Sequence, residues 1–414
     1  MNKKPKKKVI LAFSGGLDTS FSLLWLKEKG YEVVTVTVDT GGFEKEELKV
    51  IGEKAMKLGV AKHFTVEAAS EFYKKIVSYV IRGNLLRGSV YPLCVGPERI
   101  IQAAKVVEIA RNEKADFIAH GSTGAGNDQV RFDTAIKVLA PEMKIITPIR
   151  ELSITRDDEA KFLEKHGIKV DKTPKSYSVN RGILGTTTGG NETKNSWEAP
   201  PDNVYPVQPI EKTPDKPVEL VIEFKNGLPQ GLEQVINNKE QKTNYKKLSG
   251  LKILQQLNEI GAEYGIGKGI HLGTTILGIK GRVAFTASGI SILIKAHQEL
   301  EKLVLTGKEL FWKEILCQAY GNMLHEAMYF DAVMRDIESF INSSQKRVAG
   351  LVRMKLFKGN IFVEGLKSDF SLMNKKVATY GEENNLWTGE EAAGFSKIYG
   401  LEAMLWNLTA KKRG

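Results

Sequence analysis

Two stretches of the chain hold residue types at spacings that can do chemistry. The first, Ser14-Gly15-Gly16-Leu17-Asp18-Thr19-Ser20, directly follows an apolar run at 9–13, and the helical pattern that continues to 29 starts inside it. Two glycines let the backbone approach a ligand, while a loop and helix N-terminus aim unpaired N–H groups and a positive dipole end at an anion. Hydroxyls at 14, 19 and 20 add donors. Neither the Gly-Lys-Ser/Thr ending of a Walker loop nor a Gly-x-Gly-x-x-Gly fingerprint is present there. The second stretch is His120-Gly121-Ser122-Thr123-Gly124-Ala125-Gly126-Asn127-Asp128-Gln129-Val130-Arg131-Phe132. It follows an expected strand at its C-terminal edge, where ligands sit in open α/β sheets. Hydroxyl, amide, carboxylate and guanidinium groups fall within nine residues. That mixture suits a zwitterion: Asp128 can meet an ammonium while Thr123, Asn127 and Arg131 meet carboxylates.

The elements that must position these groups read as follows. Up to residue 170, short apolar runs alternate with amphipathic ones, the pattern of a parallel sheet covered by helices. Strands are expected at 9–13, 33–38, 62–66, 116–119 and 145–148, and helices at 19–29, 44–58, 71–82 and 98–111. A further helix, opened by a capping box of Thr155 and Asp158, runs to 166. The stretch 171–217, rich in Thr, Gly, Asn and Pro, reads as an interdomain segment with long loops. Strand-like runs at 218–224, 275–279 and 292–294 then mix with helices at 253–260 and 300–319. The last 25 residues carry an amphipathic helix with Ile398, Leu401, Met404 and Leu405 on one face and Trp406 beside it. So much apolar surface must dock, on a neighbouring subunit or on its own core. The expected fold class is a doubly wound α/β parallel-sheet nucleotide-binding domain, an α+β second domain and a C-terminal helix. The divisions are a basic tail at 1–8, the first domain at 9–170, the second at 171–370 and a C-terminal segment at 371–414.

Composition excludes several classes. A chain of 414 residues with 42% hydrophobic and 26% charged residues is an ordinary globular protein. Its net charge of +11 can signal nucleic acid, but Lys3, Lys4, Lys6, Lys7, Lys8, Lys411, Lys412 and Arg413 account for most of it and leave +3 between them. The ends are therefore expected to be solvated tails, and neither a nucleic-acid nor a membrane partner is implied. No signal-peptide h-region follows the first lysines and no apolar stretch reaches the roughly 18 residues of a membrane span. Cys94 and Cys317 match no metal or disulfide spacing, which points to a reduced, cytoplasmic protein without a metal site. His63, His166, His271, His297 and His325 have no ligand spacing and read as structural or surface groups. His120 either orients the Gly-rich loop or touches substrate.

The Ser-Gly-Gly-x-Asp-Thr-Ser loop resembles the pyrophosphate loop of N-type ATP pyrophosphatases, and with the 120–132 stretch the chain resembles argininosuccinate synthase from Val9 to around Asn374. The resemblance implies that the ureido oxygen of citrulline attacks the α-phosphate of ATP, releasing pyrophosphate, and that the aspartate amine then attacks the ureido carbon of the adenylate and expels AMP. Both nucleophiles belong to substrates, so the protein's part is alignment and charge stabilisation. Matching positions place Ala12, Ser14, Gly15, Gly16, Asp18, Thr19, Ser20, Val38, Arg99 and Gly121 around ATP, Thr123, Asn127 and Asp128 around aspartate, and Tyr91, Asn127, Arg131, Ser178 and Thr187 around citrulline. Asp18, Asp128 and Arg131 would act on the reaction itself. The resemblance also implies ATP with Mg²⁺ as substrate, no tightly bound cofactor, a synthetase and multimerisation role for the second domain, and a homotetramer.

Departures from the family pattern concentrate in the citrulline pocket. Gly96 stands where a Ser is expected, Gly273 where a Glu is, Phe285 where a Tyr is, and Asn180-Arg181 where an acidic pair is. An α-ammonium would lose its counter-charge there, which points to N-succinyl-citrulline, with Arg181 meeting the extra carboxylate; the alternative is plain citrulline, with the alignment of this loop shifted or other residues compensating. The alternative, a tRNA-modifying relative, would use the positive charge, but it would need reactive cysteines near the ATP loop or a basic extension.

Overall fold

The computed structural model describes residues 6–170, 176–235, 246–375, 377 and 386–410. Its strands in chain order are β1 Lys8–Ala12, β2 Glu32–Asp39, β3 Lys62–Glu67, β4 Phe117–Ala119, β5 Lys144–Ile146, β6 Ser178–Gly182, β7 Gly185–Gly189, β8 Val218–Lys225, β9 Leu228–Val235, β10 Lys246–Lys247, β11 Lys268–Thr274, β12 Lys280–Thr286, β13 Gly350–Phe357 and β14 Asn360–Lys367. The first five form a parallel sheet in the order β3-β2-β1-β4-β5. Strand β1 is central and apolar on both sides because helices cover both faces. Ile10 packs with Phe72, Ile76 and Ile100, while Val9 and Leu11 pack with Leu23, Leu26 and Ala55. Strand order reverses at β1, so the C-terminal ends of β1 and β4 flank a topological switch point, the crevice where ligands bind in such sheets.

The remaining strands form two antiparallel sheets, β11-β12-β7-β6 and β10-β9-β8-β13-β14. The helices Gly250–Glu263 and Ser288–Val304 pack on each other and on the five-stranded antiparallel sheet. The stretch 171–217 thus holds two strands, β6 and β7, as well as loops. Its Thr186-Thr187-Thr188 run is buried between neighbouring strands.

Several local expectations are corrected. Residues 275–279 turn between β11 and β12, with Gly278 left-handed at φ +82°, and are not a strand. Residues 292–294 lie inside the helix Ser288–Val304; Ile290, Ile292, Leu293, Ile294 and Ala296 are all buried, and enclosure on every side erases the helical period. The helix expected at 300–319 is two helices, because Thr306 and Glu309 form a capping box that starts Gly307–His325. The C-terminal helix breaks at Gly400 into Gly389–Tyr399 and Leu401–Ala410, neither with a buried residue. Lys8 is no tail: it opens β1 and pairs with Glu113 (3.2 Å) and Glu32 (3.6 Å). Lys3, Lys4, Lys411, Lys412 and Arg413 lie outside the described residues.

Candidate active site

The phosphate-type loop leaves β1 pinned to β2: Phe13 N donates to Val36 O (2.9 Å) and Thr37 Oγ1 donates to Phe13 O (2.7 Å). Ala12 and Val38 lie at these strand ends. Gly15 is left-handed at φ +73°, and a Cβ there would stand 3.2 Å from Ile51 Cγ1. The loop's carbonyls are satisfied from behind. Gly16 O accepts from Ser20 Oγ (2.7 Å) and Thr19 Oγ1 (3.4 Å), Gly15 O accepts from Lys54 Nζ (2.5 Å), and Ser14 Oγ accepts from Gly16 N at 3.5 Å. No side chain caps the first turn of the helix Leu17–Glu28, so its backbone donors stay available for an anion.

Asp18, in that first turn, faces Glu159 of the helix Arg156–Lys165. Glu159 is buried, and its Oε2 has no hydrogen-bond partner among the described residues. Burial first, then the neighbouring Asp18 carboxyl, push Glu159 up to about 8. Sequence reasoning found the helix through its Thr155 cap, where Asp158 N donates to Thr155 Oγ1, but not this facing.

The second loop abuts the first. A Cβ at Gly121 would meet Thr19 Cγ2 at 3.2 Å and the Asp18 carbonyl carbon at 3.3 Å, so the glycine permits the approach. His120 orients the loop: its Nε2 meets Asp133 Oδ1 at 2.9 Å, its Nδ1 accepts from Ser122 N, and its ring stacks on Phe132. Gln129 Nε2 ties back to Gly124 O. Thr123 stands exposed at the mouth of the loop.

The helix Asn127–Leu139 then carries the charged centre. Asp128 accepts from Arg99 Nε (2.9 Å) and Arg131 Nη1 (2.8 Å). Burial alone would raise its pKa, but Arg99 and then Arg131 overcome this and hold it at about 2. Arg99 is thus engaged at the Asp128 side of the site, and also donates to Gln102 (3.0 Å) and lies 4.0 Å from the Glu98 carboxyl. Arg131 is buried; its Nε donates to His325 O (3.1 Å) and its Nη2 lies 3.2 Å from His325 Nδ1, which must accept, since a guanidinium cannot. Burial and Arg131 push His325 down to about 2. Gly96 makes room for this guanidinium, because a Cβ there would stand 3.0 Å from Arg131 Cζ. Asn127 Oδ1 accepts from Ile276 N (2.9 Å), docking the β11–β12 turn on the loop.

The four-stranded sheet closes the other side. Strand alternation puts Ser178, Asn180, Thr187, Phe285, His271 and Gly273 on one face: Asn180 is opposite Thr187, and Thr187 opposite Phe285. That face meets Tyr91, which stacks on His271 (centroids 5.1 Å, 12°) and takes Phe285 edge-on at 5.2 Å. Arg181 is registered with Thr186 on the opposite face and bonds Glu47 Oε1 (2.5 Å) of the helix Lys45–Lys57. The expectation that Arg181 lines the citrulline pocket therefore fails on strand parity, whereas Tyr91, Asn127, Asp128, Arg131 and Thr187 do gather. Ser178 shares the pocket face but is exposed.

Sequence reasoning missed His271, His325, Arg87 and Glu98. Glu98 is fully enclosed, accepts from Thr40 Oγ1 (3.0 Å) and sits against Gly182; burial pushes it up to about 8, which favours its protonated form. The remaining histidines are structural: His63 meets Thr35, His166 meets Glu28, and His297 lies between Asn84 and Gln345.

Residues 8–169 match the family described as arginosuccinate synthase N-terminal HUP domain, and residues 177–406 match the arginosuccinate synthase C-terminal domain. The chain belongs to the argininosuccinate synthase family. An argininosuccinate synthase of Methanocaldococcus jannaschii is 39% identical over 98% of this chain and 99% of its own length. One of Pyrococcus furiosus is also 39% identical, over 96% and 94%, and one of Bacillus licheniformis is 37% identical over 98% of each chain.

Proposed function

We propose that the chain joins aspartate to the ureido carbon of a citrulline through a citrullyl-adenylate, releasing AMP and pyrophosphate, in the biosynthesis of arginine. The enzyme is an ATP-dependent ligase of the argininosuccinate synthase type. The juxtaposition of the 14–20 loop with the arginine-flanked Asp128 carries this reading. Ser14, Gly15, Gly16, Thr19, Ser20 and Gly121 cradle the phosphates, with Ala12 and Val38 beside the nucleoside. Thr123, Asn127 and Asp128 hold aspartate, Asp128 facing its ammonium. Tyr91, Arg131, Ser178 and Thr187 hold the citrulline. The ureido oxygen bonds to the α-phosphorus as the bond to pyrophosphate breaks; the aspartate amine then bonds to the ureido carbon as the bond to AMP breaks. Mg²⁺ arriving with ATP fits the Asp18–Glu159 pair, where the buried Glu159 Oε2 has no hydrogen-bond partner among the described residues. It would supply neutralising charge on the phosphates. ATP places the work in the cytoplasm.

The citrulline is N-acylated, with succinyl as the leading candidate. Gly96, Gly273, Phe285 and Asn180 stand where acidic or hydroxyl side chains are expected, burial pushes the Glu98 carboxyl up to about 8, and Asp128 is held by Arg99 and Arg131, which leaves an α-ammonium short of counter-charge. Comparing kcat/KM for N-succinyl-citrulline and citrulline, by pyrophosphate release that requires aspartate, tests this. A preference for the free amino acid overturns the acylated reading, and release triggered by tRNA overturns the ligase. The chain also self-associates, as a homotetramer, through the helices Gly389–Tyr399 and Leu401–Ala410, whose Phe395, Ile398, Leu405 and Trp406 are all exposed.

A further inference from the structure

A cation beside the phosphate-type loop, Lys54, has no place in the reaction above. It sits on the helix Lys45–Lys57 one turn after Ile51, and residues at i and i+3 share a helix face. That face grips Gly15 from two sides. Ile51 Cγ1 lies 3.2 Å from where a Cβ of Gly15 would stand, and Lys54 Nζ donates to Gly15 O at 2.5 Å. The ammonium is half-buried, and burial pushes its pKa down with no carboxylate among the described residues to offset it. A charge held in that way, without a counter-ion, favours an anion beside it.

The carbonyl that Lys54 holds belongs to the peptide between two glycines. Gly15 is left-handed at φ +73° and neither residue has a side chain, so this peptide could turn over at small steric cost. Turned over, it would aim an oxygen at the phosphates. Carbonyl and N–H point in opposite directions across a trans peptide, so anchoring Gly15 O to the helix Lys45–Lys57 turns Gly16 N–H towards the open side of the loop. There Ser14 Oγ meets it at 3.5 Å, too far for a firm bond, and both residues are exposed. Gly16 also opens the helix Leu17–Glu28, whose first-turn donors no side chain caps. One ammonium therefore fixes the direction of a donor that continues the row of helix N–H groups, and adds positive charge behind it.

We infer that Lys54 is a positioning residue for the leaving pyrophosphate: it locks the Gly15–Gly16 peptide with its N–H towards the departing β- and γ-phosphates. As the ureido oxygen bonds to the α-phosphorus, the electron pair of the breaking P–O bond leaves on pyrophosphate. The donor and the charge that Lys54 holds in place stabilise that pair without having to move. Lys54 keeps its proton throughout. The inference rests on the ligase reading above and involves citrulline only through its ureido oxygen, whatever stands on the α-nitrogen.

The test compares the wild type with Lys54→Met, which keeps most of the stem without charge or donor, and Lys54→Arg, which keeps both. Calorimetric titration gives the Kd for inorganic pyrophosphate and for AMP, and steady-state assays give kcat and the KM for aspartate. In Lys54→Met the Kd for pyrophosphate is expected to rise about 10- to 100-fold and kcat to fall by a similar factor, while the AMP Kd and the aspartate KM stay within about twofold. Lys54→Arg is expected to recover most of both losses. Wild-type pyrophosphate binding and kcat in Lys54→Met overturn the inference. So do parallel losses for pyrophosphate, AMP and aspartate with no recovery in Lys54→Arg, the pattern of a packing residue. The titrations need no turnover, so the two readings fail separately. If the wild type releases no pyrophosphate with aspartate and citrulline, the ligase reading falls, and a pyrophosphate Kd raised in Lys54→Met still supports the part of Lys54 in the loop.

Discussion

Replacing Asp128 with Asn tests the charged centre on both stability and function. The carboxyl titrates near 2 against an ordinary 3.8. A shift of nearly two units corresponds to about 2.4 kcal/mol at ~1.36 kcal/mol per unit. The side chain keeps 37% exposure, so solvent screening reduces the pairing contribution to about 1 kcal/mol. The partner matters more. Arg131 has 7% side-chain exposure and would keep its charge with only a carbonyl and an imidazole to meet it. Breaking a buried pair in this way costs up to ~3–5 kcal/mol, and partial exposure of Asp128 places the expected total at roughly 2–3 kcal/mol. Urea denaturation at pH 7, followed by tryptophan fluorescence, should show that loss. Because the folded pKa is depressed, the carboxylate's contribution is present above about pH 4 and lost as pH falls towards 2, so the pairing part of the gap between variant and wild type closes over that window. In steady-state assays the KM for aspartate should rise roughly 100-fold while that for ATP stays near its wild-type value. Equal stability at pH 7 together with an unchanged aspartate KM would refute the assignment.

Other outcomes follow from neighbouring contacts. Gly121→Ala puts a methyl against Thr19 and the Asp18 carbonyl carbon, so ATP affinity should fall about tenfold with little change in melting temperature, as read by nucleotide titration. Glu159→Gln should stabilise the ligand-free protein, and more so as pH rises. The raised carboxyl lends its full stability only below the ordinary Glu range and loses it as pH climbs to about 8, so the two melting curves should converge near pH 4. The same variant should bind Mg²⁺-ATP more weakly. Deleting everything after Leu386 should shift the light-scattering mass towards the monomer without abolishing the fold, because no residue of the last two helices is buried.

Much of the site was legible because its loops are short and their chemistry is contiguous. The 14–20 and 120–132 stretches each run from the end of a strand through a short loop into the start of the following helix, so residue type and spacing express their geometry directly. Groups that meet only through the tertiary fold were not legible. His271 and His325 lie on a strand and at a helix end far apart in sequence, and Glu159 meets Asp18 across two helices. Arg181 failed for a different reason: one residue in a strand decides the face, and the register of β6 against β7 is invisible until their pairing is known. The buried run at 292–294 misled because a helix enclosed on all sides shows no period of its own. The second-domain strands β6 and β7, rich in Thr and Gly, carry little of the apolar alternation that marks a strand.

The most direct test of the central claim is isotopic. With ¹⁸O in the ureido group of the citrulline substrate, attack by that oxygen on the α-phosphorus and later expulsion by the aspartate amine require the label to leave in AMP. The reaction is expected to yield AMP carrying ¹⁸O in its phosphate, one equivalent per equivalent of unlabelled pyrophosphate, and only when aspartate is present. AMP free of label, or ADP and inorganic phosphate as products, would contradict the account.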